Sequence, residues 1–260
     1  MNYNSLLTAG WLLWRDIRVI KKDFLNNLLD AILLPISMVY ISGYVLPLLG
    51  LPEDYGTFTL VGLVVGMCFN ATGTDSSNLV TDLEGPKAIT YELSLPLPYW
   101  MIPLKIGISY AIKSAVANIW IFPVGYFILG NQFDMSHFSL YKTTIMYVAM
   151  NLFVGYFALL TGLLMKNMDD YGRFWIRWGW QLYVIAGAQF SWINLYHANK
   201  VLAYINLLNP LVYSFEGLRA AIMGQAGYID FWICVGLTIF FTIVTALLTL
   251  HVFKKRLDCL

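Results

Sequence analysis

Long apolar stretches separated by short polar segments dominate the pattern along the chain. Six of these stretches reach the length, at least about 17 residues, that a helix needs to cross a membrane. They cover residues 25–49, 57–74, 100–129, 143–165, 174–193 and 231–253. The pattern therefore predicts an all-α integral membrane protein with six transmembrane helices, folded as a single domain over residues 1–260.

Residues 1–24, ahead of the first apolar stretch, mix apolar side chains with basic ones. Two tryptophans among apolar residues, together with a cluster of bases, predict an amphipathic helix that lies in the cytoplasmic interface. The residues that we expect to anchor this interface helix are Trp11, Trp14, Arg15 and Arg18. The alternative is a polar lead-in to the first span.

The stretch 200–224 is apolar, yet it cannot form one plain helix. Pro210 lacks a backbone donor and disfavours helix at Asn209, so the sequence predicts two short helical pieces that meet there. Glu216 and Arg219 are three residues apart and can pair on one helix face. We interpret the stretch as a broken re-entrant element before the last span, because protein or a watery cavity can receive such backbone. A surface loop followed by an interfacial helix is the alternative.

Polar residues fill the segment 75–100. Pro86 follows Gly85 and suits the first turn of a short helix, which we place at 84–95. Its candidate contact residues are Glu84, Lys87, Tyr91 and Glu92. Either this is an ordinary solvated loop or it is a docking surface for a cytoplasmic partner.

Composition supports the membrane assignment, and the distribution of charge predicts the orientation of the chain in the membrane. The chain is 59% hydrophobic and only 12% charged, and its mean hydropathy is +0.65. Twelve bases fall on one side of the predicted topology, whereas Lys142, Lys200 and Arg219 fall on the other. By the positive-inside rule both termini and the 84–95 helix are cytoplasmic, and the 200–224 element lies on the outer side.

Lys113 is a base deep inside the predicted span 100–129. It lies eight residues beyond Lys105, or ~12 Å deeper along a helix. An ionisable group at that depth is costly and is expected to face the bundle interior or a cavity. Alternatively, its long stem reaches the lipid headgroups.

Motifs of catalysis and nucleotide binding are missing from the sequence. It contains no GxxxxGK[ST], HExxH or GxSxG motif. The residues that most often ligate metals lack ligand spacing: His137, His197, His251, Cys68, Cys234 and Cys259. We expect no catalytic, cofactor or metal site and no nucleic-acid partner. An intramembrane lipid-modifying enzyme and a passive channel or membrane scaffold stay open as alternatives.

Three segments together resemble the permease subunit of type-2 ABC exporters. The segment NPLVYSFEGLR, residues 209–219, looks like that family's NPLTY-x-x-E/D-x-x-R motif before the last span. The segment EGPKAITYELSLPLPYWMIPLKI, residues 84–106, is similar to its coupling segment, although Pro86-Lys87 replaces the usual Gly-Thr. Leu95 also stands where the family often has Ser or Thr. The basic start of the chain is similar to the family's interface helix.

The resemblance implies a homodimer in the cytoplasmic (inner) membrane, driven by a separate dimer of cytoplasmic ABC ATPase subunits that binds ATP and Mg. It implies that the 84–95 helix is the ATPase-coupling helix. It also implies an outer gate formed by Asn209, Pro210, Tyr213, Glu216 and Arg219. The cargo expected from the aromatic spans is a lipophilic drug, lipid or lipid-linked saccharide, with an O-antigen-type polysaccharide as the alternative. Lys113 would favour an anionic headgroup if it faces the cavity.

Overall fold

The structure is a computed structural model that describes residues 8, 10–16, 18, 24–85, 88–94, 97–133 and 136–257. These ranges are helical almost throughout and contain no strand. The helices, in chain order, are α1 (residues 10–16), α2 (Phe24–Tyr40), α3 (Tyr55–Glu84), α4 (Ala88–Leu93), α5 (Met101–Asn118), α6 (Ile121–Leu129), α7 (Leu140–Leu164), α8 (Met168–Phe174), α9 (Trp180–Ile185), α10 (Trp192–Ala198), α11 (Lys200–Asn206), α12 (Pro210–Ile222) and α13 (Phe231–Leu257).

Four of these elements are long and apolar enough to cross a membrane: α3, α5 with α6, α7 and α13. A shorter apolar helical segment, Leu33–Leu49, combines the end of α2 with a π-helical turn and a 3₁₀ turn. The prediction of an all-α membrane protein is confirmed, and the count of six spans stays a prediction.

Helix α7 forms the centre of the bundle. It is buried along most of its length and packs against α3, α5, α12 and α13. Glycine allows the closest approach, because a Cβ added to Gly155 would lie 2.5 Å from the carbonyl oxygen of Gly107 and 2.7 Å from the amide nitrogen of Ala111. The backbones of α5 and α7 are therefore in direct contact, which is the usual way that helices associate in membranes.

We expect the Gly155→Ala variant to be less stable than the parent chain by about 1–3 kcal/mol, because the new methyl group meets backbone that cannot rotate away. Thermal unfolding in detergent measures the effect. The matched control is Gly236→Ala on α13, where a Cβ meets nothing within 4 Å. Equal stability of the two variants would show that α5 and α7 are not packed this closely.

Proline divides the predicted span 100–129 into two helices. Pro123 has no amide hydrogen for the carbonyl of Ile119, and its ring crowds that carbonyl. Helix α5 accordingly ends at Asn118 and α6 begins at Ile121.

Helix α3 is longer than the predicted span 57–74, and this corrects the boundary of the polar segment. It continues to Glu84, because polar residues after Thr74 find partners on other helices. Lys113 Nζ donates to Asp75 Oδ1, and the Ser76 hydroxyl lies 2.6 Å from that of Thr161. The predicted coupling helix 84–95 correspondingly shortens to α4, and Glu84 belongs to α3.

The predicted fifth span, 174–193, also needs correction. Its helix begins earlier, at Met168, and runs through a π-helical turn to Ile185. There the chain turns back, with Gly187 at φ 103°. A short helix that the sequence did not predict, α10, begins at Trp192, ahead of the stretch 200–224 that was predicted to be re-entrant.

Candidate functional site

The start of α12 is fixed by the Asn209-Pro210 pair. The Asn209 side chain accepts a hydrogen bond from the amide of Leu211 (3.1 Å), which makes it the N-cap. Its amide group donates to the carbonyl of Leu182 on α9 (2.7 Å). Pro210 occupies the first turn, where its missing amide hydrogen costs nothing. The break predicted from the sequence is therefore present and is anchored to α9.

Glu216 ties α12 to two separate turns of the chain. Its Oε1 accepts a hydrogen bond from the amide of Trp192 at the start of α10 (2.9 Å). Its Oε2 accepts from the amide of Ile229, just before α13 (3.2 Å). A carboxylate that accepts backbone amide bonds stabilises both turns, because buried amides need partners.

Arg219 holds the turn that follows α9. Its guanidinium is completely buried and donates to the carbonyls of Phe190 (2.9 Å) and Ala188 (3.3 Å). The group also lies 3.6 Å from the ring centroid of Phe58 on α3, a cation–π contact.

The predicted Glu216–Arg219 ion pair is present at 3.8 Å, but backbone groups are the closer partners of both side chains. Tyr213 completes the arrangement by donating to the carbonyl of Leu207 (2.7 Å). We call Asn209, Tyr213, Glu216 and Arg219 the α12 clamp. The structure brings the five predicted gate residues together as a buried anchor, and their role as a gate stays a prediction.

A second cluster of polar side chains joins α1, α4 and α5. Glu92 Oε1 on α4 accepts hydrogen bonds from Arg15 and from Lys105, both at 2.9 Å. Asp16 Oδ2 lies 2.7 Å from Lys105 Nζ and accepts from Ser109 (2.8 Å). The cluster therefore contains two basic and two acidic side chains, whose formal charges cancel. Lys105 is buried at its centre. We call these five residues the charge network.

The electrostatics of Asp16 reflect this arrangement. Burial disfavours its charged form, but the hydrogen bonds from Lys105, Ser109 and Arg15 outweigh burial and hold the pKa of its carboxyl below the ordinary 3.8. A lowered pKa means that Asp16 contributes stability above about pH 3.8, which is lost as the pH falls through the lower folded-state pKa. Asp16 is thus charged at neutral pH.

The predicted coupling residues take different positions. Tyr91 is 63% exposed, whereas Glu92 on the same short helix points into the charge network. Glu84 ends α3 and accepts a hydrogen bond from the amide of Met168 (3.3 Å). Lys87 lies outside the described residues.

The described part of the predicted interface helix carries its aromatic residues on the surface. Trp11 and Trp14 are exposed, and the Arg18 guanidinium lies 5.5 Å from a ring centroid of Trp14. Arg15 instead joins the charge network. Residues 1–7, 9, 17 and 19–23 of the 1–24 prediction lie outside the described ranges.

Lys113 is not a free cation. Its Nζ lies 2.5 Å from Oδ1 of Asp75, which is buried on α3. Sequence reasoning missed Asp75 because it assigned that residue to a loop. The signal that could have found the pair is the composition of the two helices: one acid and one base, each at membrane depth, need each other.

The sequence profile of one known family, described as "ABC-2 type transporter", matches residues 9–223, a range that runs from the start of α1 to just past the end of α12. The chain belongs to this family. As an ABC-2 membrane domain it is a permease component of a transporter, a class that generally lacks an ATPase site of its own, and membership implies partnership with an ABC ATPase. The matched range contains both the charge network and the α12 clamp. A comparison with curated proteins finds no match.

Proposed function

We propose that this ABC-2 permease exports a lipophilic or lipid-linked substrate across the cytoplasmic membrane by alternating access. A homodimer forms the transport path, and both termini are cytoplasmic. ATP and Mg bind to a separate cytoplasmic ATPase dimer, and the permease contributes two alternative packings between which the ATPase cycle selects.

The observation that carries the proposal is the charge network. Through Glu92 it joins the short helix α4 to the interfacial helix α1 and to the membrane helix α5. Lys105 contacts acids on both other helices at 2.7 and 2.9 Å. A force on α4 therefore reaches α5 through side chains that are already in contact.

The two sides of α4 have different roles in this proposal. Glu92 faces inward and fixes the helix, whereas Tyr91 faces outward and is free to meet a partner. An exposed aromatic side chain on a rigid helix is a common energetic centre of protein interfaces. Tyr91 is therefore the residue that we assign to ATPase contact, and Glu92 the residue that positions it.

We expect the Tyr91→Ala variant to lose at least about tenfold in affinity for the ATPase, since a central aromatic contact contributes about 2 kcal/mol or more. Binding of the purified ATPase to the permease in detergent measures this. The matched control is Tyr141→Ala at the start of α7, because that side chain is similarly exposed (68%) at the opposite end of the bundle. Equal binding by both variants would remove α4 as the docking site.

The α12 clamp fits the outer-gate part of the proposal. It anchors α10, α12 and the turn before α13 to one another, so these short pieces move as a unit. Helix α12 also packs against α3, α7 and α13. A change in the packing of those helices is thus transmitted to the outer element.

A further inference from the structure

Helix α3 carries a polar stripe on its exposed side. The stripe consists of Asn70, Thr74, Asn78 and Thr81, all of which are exposed. Their spacing of four, four and three residues places them on one face of the helix. Asn70, Thr74 and Asn78 form no side-chain hydrogen bond with any residue that the structure describes, so their polar groups need water or a ligand.

The exposed face of α13 is apolar, unlike the polar stripe. Helix α13 exposes Ile239, Phe240, Ile243, Leu247 and Leu248, as expected for a surface in contact with lipid. A face of amides and hydroxyls does not suit hydrocarbon, because unsatisfied polar groups there are costly. The polar stripe and the α13 face are therefore in contact with different surroundings.

The polar stripe lies within the membrane. Lys105, in contact with the interfacial helix, marks one edge of the hydrocarbon, and Lys113 lies ~12 Å deeper. The Lys113–Asp75 ion pair puts Asp75 at that same depth. Thr81 is then about 9 Å closer to the edge and Asn70 about 8 Å deeper, so the stripe occupies roughly half of the 30 Å hydrocarbon layer.

The polar stripe has protein on both sides and a closed inner end. On one side α8, α9 and the π-helical turn between them cover Gly66 and Gly73 with Tyr183, Tyr171 and Trp175. On the other side Asp75 is bound to Lys113. Beyond Asn70 the helix becomes buried, almost continuously from Gly56 to Val65. A groove of this form is open to the α4 side of the membrane and ends near the middle.

We propose that the polar stripe lines a water-filled half-channel that admits the hydroxyl-rich headgroup of an amphiphilic cargo. The inference deepens the proposed function and rests on it. Asparagine amides and threonine hydroxyls both donate and accept hydrogen bonds, which suits an uncharged sugar headgroup. Lys113 is bound to Asp75 and contributes no free cation for an anionic group. The lipid tail of the cargo stays in the bilayer.

Access of water is tested by cysteine labelling in membrane vesicles. Single Asn70→Cys, Thr74→Cys and Asn78→Cys variants are exposed to a membrane-impermeant maleimide on the α4 side. These variants are made in a chain with the Cys259→Ser substitution, which removes one native thiol from the assay. The other two cysteines, Cys68 and Cys234, are kept because they are buried. We expect labelling at least about tenfold faster than for the control Leu248→Cys on α13, since only a hydrated thiol forms the reactive thiolate readily.

Thr74 and Leu248 make a matched pair by depth. Thr74 lies about 15 Å along α3 from Glu84, and Leu248 about 12 Å along α13 from Arg256. Labelling of Thr74→Cys at the slow rate of Leu248→Cys would overturn the half-channel, whether lipid or a second copy of the chain covers the stripe. A disulfide between two copies of Thr74→Cys on oxidation, with no labelling, would identify that second copy.

The headgroup is tested with two lipids that differ only there. Glucosyl-diacylglycerol in the vesicles is expected to slow labelling of Thr74→Cys at least about threefold, as for a site that is two-thirds occupied. Diacylglycerol with the same chains is expected to leave the rate unchanged. Equal effects of the two lipids would overturn the sugar assignment. Neither assay needs an ATPase, so failure here is distinct from failure to bind one.

Discussion

Replacing Arg219 with Met is expected to lower the free energy of unfolding by about 3–5 kcal/mol, the cost of breaking a buried charge arrangement on one side. The carbonyls of Ala188 and Phe190 lose their donor, and Glu216 keeps a buried charge without its nearest cation. For a chain of this size the unfolding temperature in detergent should fall by at least about 6 °C.

Two further variants separate this role from a general effect of removing an arginine. Arg173→Met removes an arginine that is paired with Asp170 at the surface, where ion pairs contribute about 0–1 kcal/mol. The double variant Glu216→Gln with Arg219→Met leaves no unpaired charge and is expected to recover part of the loss. An unfolding temperature of Arg219→Met equal to that of Arg173→Met would be incompatible with the α12 clamp.

The Lys105→Met variant is expected to bind the ATPase about tenfold more weakly, a change of about 1.4 kcal/mol. Methionine fills similar space, but Glu92 and Asp16 then share only Arg15, which is half exposed. Helix α4 is held less firmly, so part of the binding energy is used to order it. Titration of the ATPase against permease in detergent gives the affinity.

Controls for Lys105 use the rest of the charge network. Lys105→Arg keeps the charge and is expected to retain most of the affinity. In a double-mutant cycle with Glu92→Gln, the two losses should be less than additive, because the side chains contact each other at 2.9 Å. Additive losses, or unchanged affinity in Lys105→Met with its stability intact, would mean that the network does not position α4.

Part of the fold could be predicted from interactions between residues that are close together in the sequence. The break at Asn209-Pro210 was predicted because an N-cap and a first-turn proline act within a few residues. The division of the 100–129 span follows from Pro123 in the same way. Hydrophobicity alone was sufficient to predict the all-α membrane class, because a run of about 20 apolar residues is typical of a transmembrane helix.

Long-range partners explain what the sequence did not reveal. In the sequence, Asp75 and Ser76 resemble the start of a loop. Their partners in the structure, Lys113 for Asp75 and Thr161 for Ser76, lie far along the chain. Likewise, the predicted span continued to residue 193 because the residues there are apolar, although the structure has a turn at 186–191. The carbonyl of Phe190 in this turn accepts a hydrogen bond from Arg219, almost 30 residues away. Side chains distant in sequence decide both boundaries, so no local pattern could have placed them.

We propose that this permease is the membrane half of an ATP-driven transporter whose ATPase is a separate protein. The most direct test of this proposal is affinity purification of the tagged chain from its native membranes, followed by an ATP hydrolysis assay on the purified material. We expect a co-purifying protein with a phosphate-binding loop, and ATP hydrolysis that is absent from the isolated chain. A folded, monodisperse chain that retains no ATPase would contradict it.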